Sequence, residues 1–127
     1  MNENTNSLNW FEIPALDINR ATQFYETIFN LSMGRMEMGD TKMAMFPSAP
    51  GSGKASGGLA ESPMHQPSAE GAIIYLNANP NMDAVLAKVN DAGGKIAMPK
   101  TQISPEIGFM AFIIDTEGNK VGLHSQE

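Results

Sequence analysis

The fold is decided by Trp10–Phe29, WFEIPALDINRATQFYETIF, read together with its echo Ile74–Gly93, IYLNANPNMDAVLAKVNDAG. In the first stretch Phe11 and Ile13 alternate with Trp10 and Glu12, the period of a strand with two unlike faces. The strand spans 8–14, and Pro14 ends its ladder because it has no N–H to give. Asp17 is placed to cap a helix. From Ile18 the apolar residues Ala21, Phe24, Tyr25, Ile28 and Phe29 recur at helical spacing and trace one face. Arg20, Gln23, Glu26 and Thr27 cover the other side, and Asn30 suits the left-handed residue that closes a helix. Laying Phe11 on Tyr75 also lays Ala21 on Val85, Tyr25 on Val89 and Ile28 on Ala92. The strand–helix pattern therefore returns in register. Asn79 followed by Pro80 predicts the second helix's cap and first position. Its stripe is Met82, Val85, Leu86, Val89 and Ala92, and Gly93-Gly94 stops it.

Outward from these two units the remaining segments are extended. Residues 31–38 and 42–47 make a hairpin about Gly39-Asp40. Residues 54–60 form a further strand, where Gly57-Gly58 signals a bulge or a close backbone approach. Residues 61–70 hold Pro63, Pro67, Ser62 and Ser68 without periodicity and read as a linker. After the second helix, strands are predicted over 95–103, 107–115 and 120–125. The order is strand, helix, three strands, given twice. The chain thus divides into a first module over 1–60, a linker over 61–70 and a second module over 71–127, together one domain. This is an α+β class: two βαβββ modules forming a curved mixed sheet, a half-barrel whose concave face can serve as a pocket.

Composition narrows the function. The chain has 127 residues, 42% of them apolar, which suits a globular domain. Fourteen acids against eight Lys and Arg give a formal charge of −6. The basic residues are dispersed, so neither a nucleic-acid nor an anionic-membrane surface is expected. No apolar run approaches the ~20 residues of a membrane span, and Met1–Ser7 is polar, so a cytoplasmic location is expected. Cysteine is absent, which removes disulfides, thiolate ligands and a Cys nucleophile. Ten methionines supply adaptable apolar surface. Gly51-Ser52-Gly53-Lys54 lacks the spacing of a phosphate loop.

Trp10-Phe11-Glu12-Ile13-Pro14, then Asp17, Arg20-Ala21 and Phe24-Tyr25, resembles the first module of the vicinal oxygen chelate superfamily. Phe112–Asp115, Gly118-Asn119 and Gly122-Leu123-His124 resemble its closing hairpin, and Gly93-Gly94-Lys95 fits as well. That superfamily includes glyoxalase I, bleomycin-resistance proteins, fosfomycin-resistance enzymes and extradiol dioxygenases. The resemblance implies paired βαβββ modules, a homodimer and, in many members, a divalent metal held by His, Glu or Gln on the first and last strands of each module. At those positions this chain carries Trp10, then Leu59 and Ala60, then Ala72 and Ile73, and His124 where relatives often carry Glu. One donor in four, or two with Glu12, falls short of the three or four that a chelated cation needs. No metal or other cofactor is therefore expected, although a divalent ion would accompany the enzymatic alternative.

Two polar residues stand out. Glu12 shares the Trp10 face, away from Phe11 and Ile13, and would act as a base only with a substrate proton in hydrogen-bond reach. His124 shares a face with Lys120 and Gly122, opposite Val121 and Leu123, and could serve a pocket as a donor or as an acid or base. They are the candidate catalytic residues. The ligand-binding set is Trp10, Glu12, Phe46, Tyr75, Phe109 and His124, with Met43, Met45 and Met110 as further wall. His65, Glu61 and Glu70 are read as solvent-facing linker residues. The leading expectation is a module that binds a small, partly apolar molecule without chemistry. The alternative is a metal-dependent glyoxalase-like lyase or isomerase, or a dioxygenase, whose site a dimer partner completes. A dimeric ferredoxin-like α+β fold without a repeat is the third.

Overall fold

The computed structural model describes residues 1–127. Its elements run β1 (Trp10–Pro14), α1 (Ile18–Phe29), β2 (Gly34–Met38), β3 (Thr41–Met45), β4 (Ser56–Glu61), β5 (Tyr75–Asn77), α2 (Met82–Val89), β6 (Lys95–Ser104), β7 (Gly108–Ile114) and β8 (Lys120–Ser125). They form two open four-stranded sheets, ordered β1-β4-β3-β2 and β5-β8-β7-β6. In each, the first strand runs parallel to the last and the other pairings are antiparallel. The two sheets repeat one topology, and the fold is α+β with two βαβββ units.

The helix ends follow local chemistry. Asp17 accepts from the N–H groups of Asn19 and Arg20, and Asn30 closes α1 in the left-handed conformation at φ 52°. The second helix departs from expectation: Asn81, not Asn79, is its cap, accepting from Ala84 N–H. Pro80 therefore lies outside the helix, and Asn79 Oδ1 instead receives the Gln126 N–H at 2.8 Å. The strand that opens the second unit is short. Only Tyr75–Asn77 pair with β8, although Ile74 still accepts from Gly122 N–H.

Alternation sorts the strands into two faces. Ile13, Ala44 and Leu59 of the first sheet, and Leu76, Ala111, Ile113, Val121 and Leu123 of the second, turn toward the helices. They meet Ala21, Phe24, Tyr25 and Ile28 of α1 and Met82, Val85 and Val89 of α2 in one continuous core. Each fully buried Phe or Ile there stabilises the fold by ~1.5–3 kcal/mol. Two glycines permit close approaches. At Gly57 a Cβ would collide with the carbonyl and ring of Phe11 on the neighbouring strand, and at Gly94 it would sit 2.7 Å from both the Ile114 carbonyl and the Phe24 ring.

The modules are joined by a polar clamp. Glu117, in the β7–β8 turn, accepts the N–H groups of Leu16 and Asp17 at 2.8 Å each and binds Arg20 through both carboxylate oxygens. Glu61 accepts the next one, Ile18 N–H, at 2.8 Å. The expectation of a solvent-facing Glu61 is thus corrected: β4 takes in this residue, and its carboxylate meets donors that a helix start leaves unpaired. Tyr25 donates to Asp115 at 2.7 Å in the buried interior, and Asn119 Nδ2 reaches the Pro14 carbonyl. No helix is long and apolar enough to cross a membrane.

Candidate functional site

Three regions gather the side chains able to engage a small molecule. The first is an apolar cavity of about 610 Å³ between the two modules. Phe11 and Phe46 reach it from the first sheet, Phe29 and Leu31 from the end of α1, and Ile74 and Tyr75 from the second module. Eleven of its fourteen lining residues are hydrophobic. The wall is pre-set: Phe46 packs edge-on against buried Tyr25 at 5.7 Å and tilts against Phe11 at 5.9 Å. Such contacts add ~0.5–1.5 kcal/mol beyond area burial.

The second region is on the face of β1 turned away from the helices. Trp10 and Glu12 point there together, and Trp10 Nε1–H donates to Glu12 Oε2 at 3.1 Å. The other oxygen, Oε1, lies 2.8 Å from His65 Nε2, and His65 Nδ1 lies 2.6 Å from Ser62 Oγ. The neutral imidazole satisfies every member of this chain when Nε2 donates to Glu12 and Nδ1 accepts the Ser62 hydroxyl proton. The His65 hydrogen bond, aided by the one from Trp10, holds the Glu12 carboxyl below its ordinary value despite some desolvation. Glu12 is therefore ionised at neutral pH. His65 corrects the sequence reading: it is a half-buried partner of Glu12, not a free surface residue. Its partner lies 53 positions away, so no local pattern could reveal the pairing. A smaller cleft of about 210 Å³ beside Glu12 is lined also by Ser68, Asn119 and Lys120.

The third region is the corresponding face of the second sheet. Tyr75 lies over Gly122, its ring 2.6 Å from where a Cβ would stand, and tilts against Phe112 at 5.9 Å. His124 neighbours Met110 across the strand pair and donates from Nε2 to the Ile107 carbonyl at 2.7 Å. The residues read from the sequence thus divide. Trp10 and Glu12 are together, and Phe46 and Tyr75 share the apolar cavity. His124 is tied to a backbone carbonyl on the second sheet. Phe109 packs against the core beneath Lys100, whose Nζ stands 4.5 Å above its ring. Phe11, Phe29, Leu31 and Ile74, which complete the cavity, were not singled out, because strand alternation alone does not say which apolar residues border a gap.

The residues do not fit a divalent cation held by the His, Asp or Glu side chains of one chain. No three His, Asp or Glu side chains converge, and Glu12 with His65 offers two donors already engaged with each other and with Trp10 and Ser62.

Comparison with known proteins agrees with the topology. Residues 7–123 match the model of the Glyoxalase/Bleomycin resistance protein/Dioxygenase superfamily, and the chain belongs to that superfamily. Curated proteins give no match. Among solved structures, a glyoxalase/bleomycin resistance protein from Streptomyces sp. CB03234 is 22% identical with a TM-score of 0.65, over 94% of this chain and 100% of that one. The trypanothione-dependent glyoxalase I of Leishmania major is 15% identical with a TM-score of 0.69, over 96% and 88%. Glyoxalase I from Zea mays is 17% identical with a TM-score of 0.66, over 92% of this chain but 45% of its own length. At these identities the likeness is one of fold.

Proposed function

We propose that this protein binds a small, partly apolar molecule in the cavity between its modules. The observation that carries the reading is the cavity itself: about 610 Å³, with eleven hydrophobic residues among fourteen. That volume and lining suit a ligand of drug-like size. Phe46 and Tyr75 provide flat aromatic walls, and Asn77 and Ser56 are polar residues of the lining. Trp10 and the ionised Glu12 form a second surface on the other face of β1, suited to a polar or stacking portion of a ligand. We read the chain as a cytoplasmic homodimer, since Trp10 and Tyr75 remain 43% and 47% exposed on faces no helix covers.

A thermal-shift and calorimetric screen of apolar and aromatic compounds tests this, with light scattering for the mass in solution. Ala72 is exposed and lines both this cavity and the cleft beside Glu12, so Ala72→Trp adds bulk to that shared wall without touching the core. Binding lost in Ala72→Trp and retained in Trp10→Ala supports the cavity. Binding lost in Trp10→Ala alone moves the ligand to the open face of β1 and overturns the assignment. A screen in which no compound shifts stability overturns the binding role. The enzymatic alternative needs a cation completed by a second chain, and stoichiometric metal in protein purified without chelator would establish it in place of the present reading.

A further inference from the structure

Methionines are concentrated in one hairpin. Met36-Glu37-Met38 on β2 and Met43-Ala44-Met45 on β3 are two Met-x-Met segments on paired antiparallel strands. Met36 stands directly opposite Met43. Since alternate residues of a strand share a face, Met38 and Met45 lie on that face too. Directly opposed side chains have Cβ atoms ~4.5–5.5 Å apart and diagonal neighbours ~7–8 Å apart: Met36 and Met43 are opposed, Met45 is diagonal to Met36 and Met38 is diagonal to Met43, whereas Met38 and Met45 stand at opposite ends of the pair, across from Thr41 and Gly34. Met45 leans inward across the pair, its Cε 3.7 Å from where a Gly34 Cβ would stand. This is the face turned away from the helices, because Ala44, between the two β3 methionines, is in the core. Met43 is 5% exposed yet does not belong to that core. Met36 and Met38, at 41% and 61%, open the cluster to solvent.

The register places Met36, Met43 and one flanking methionine within reach of a common point on an open face, with Met43 buried outside the core, which amounts to more than core filling. Thioether sulfur is a soft, neutral donor that selects Cu(I) over harder divalent ions. The chain has no cysteine, so no thiolate competes for such an ion. The net charge of −6 favours the approach of a cation. We propose that the β2–β3 hairpin is a binding site for a soft monovalent cation, Cu(I) or Ag(I), held by Met36, Met43 and one of the flanking Met38 and Met45. The site is separate from the apolar cavity and does not rest on the small-molecule reading.

The test uses the intact protein labelled with ¹³C at the methionine methyls. It is titrated with Ag(I) in chloride-free buffer and with Cu(I) under anaerobic competition from bicinchoninate. The methyls of Met36, Met43 and one flanking residue, Met38 or Met45, shift together and saturate at one equivalent, while Met64, Met98 and Met110 stay in place. Met43→Leu and Met36→Leu, which conserve volume, each weaken binding at least tenfold with unchanged circular dichroism. Ala72→Trp leaves metal binding intact, which separates this site from the cavity. Shifts spread over all exposed methionines, binding centred on His65 or His124, or Leu variants that bind as tightly as the parent would each overturn the proposal.

Discussion

Changing Glu117 to Gln keeps the shape of the side chain and removes its charge, which makes it the sharpest probe of what joins the two modules. Burial by itself would raise the Glu117 carboxyl. Hydrogen bonds from Arg20, the Asp17 N–H, Thr116 and the Leu16 N–H outweigh that and bring it down from 4.5 to about 2. Each unit of pKa difference is worth about 1.4 kcal/mol, so the full shift corresponds to about 3 kcal/mol at neutral pH. Arg20 is 49% exposed, and solvent screening draws the expected figure toward about 2 kcal/mol. The direction in pH follows from the depressed folded value. The contribution is complete above the unfolded value of about 4.5 and is lost as the pH falls toward about 2. Urea unfolding at pH 7 should show Glu117→Gln less stable by about 2–3 kcal/mol, with Tm lower on the order of 10 °C. At pH 3 the gap between variant and parent should shrink to roughly half or less. A deficit equal at both pH values, or below about 0.5 kcal/mol at pH 7, would refute the argument that an ionised Glu117 holds the start of α1.

Gly94→Ala should cost about 1–3 kcal/mol in chemical denaturation, because the new methyl meets the Ile114 carbonyl and the Phe24 ring at 2.7 Å; unchanged stability would contradict that packing. His65→Ala removes the main hydrogen bond that keeps the Glu12 carboxyl low. In a carboxyl-¹³C titration Glu12 should then move up toward the usual glutamate range, and a Glu12 that stays low would show that Trp10 or another group sets its charge.

Local chemistry was legible in the sequence where a few neighbouring residues decide the outcome. The Asp17 cap, the apolar stripe of α1, the left-handed Asn30 and the hairpin about Gly39-Asp40 are all of this kind. The doubled topology was legible too, because the two helical stripes share a register. The second helix start was misplaced because Asn79 and Asn81 are equally good caps and flank a proline; only the reach of Asn81 to Ala84 N–H decides between them. What was hidden depends on contacts between distant parts of the chain. Glu61 and Glu117 look like ordinary surface acids until α1 presents its unpaired N–H groups to them. His65 sits in a stretch without periodicity and finds Glu12 only after the linker folds back over β1. Phe46 and Phe109 both belong to alternating apolar runs, yet one borders a gap between modules and the other does not.

The N–H groups that open the first helix find their side-chain acceptor in a turn that follows it by about a hundred positions. The first half is consequently expected to fold poorly by itself: a fragment ending near the linker would carry a helix with a frayed start, and its missing acceptor would reside on the other fragment. Co-expressed halves should accordingly complement one another. If two copies exchange modules, the turn must travel to the recipient's helix, which fixes the geometry in which any such swap can close.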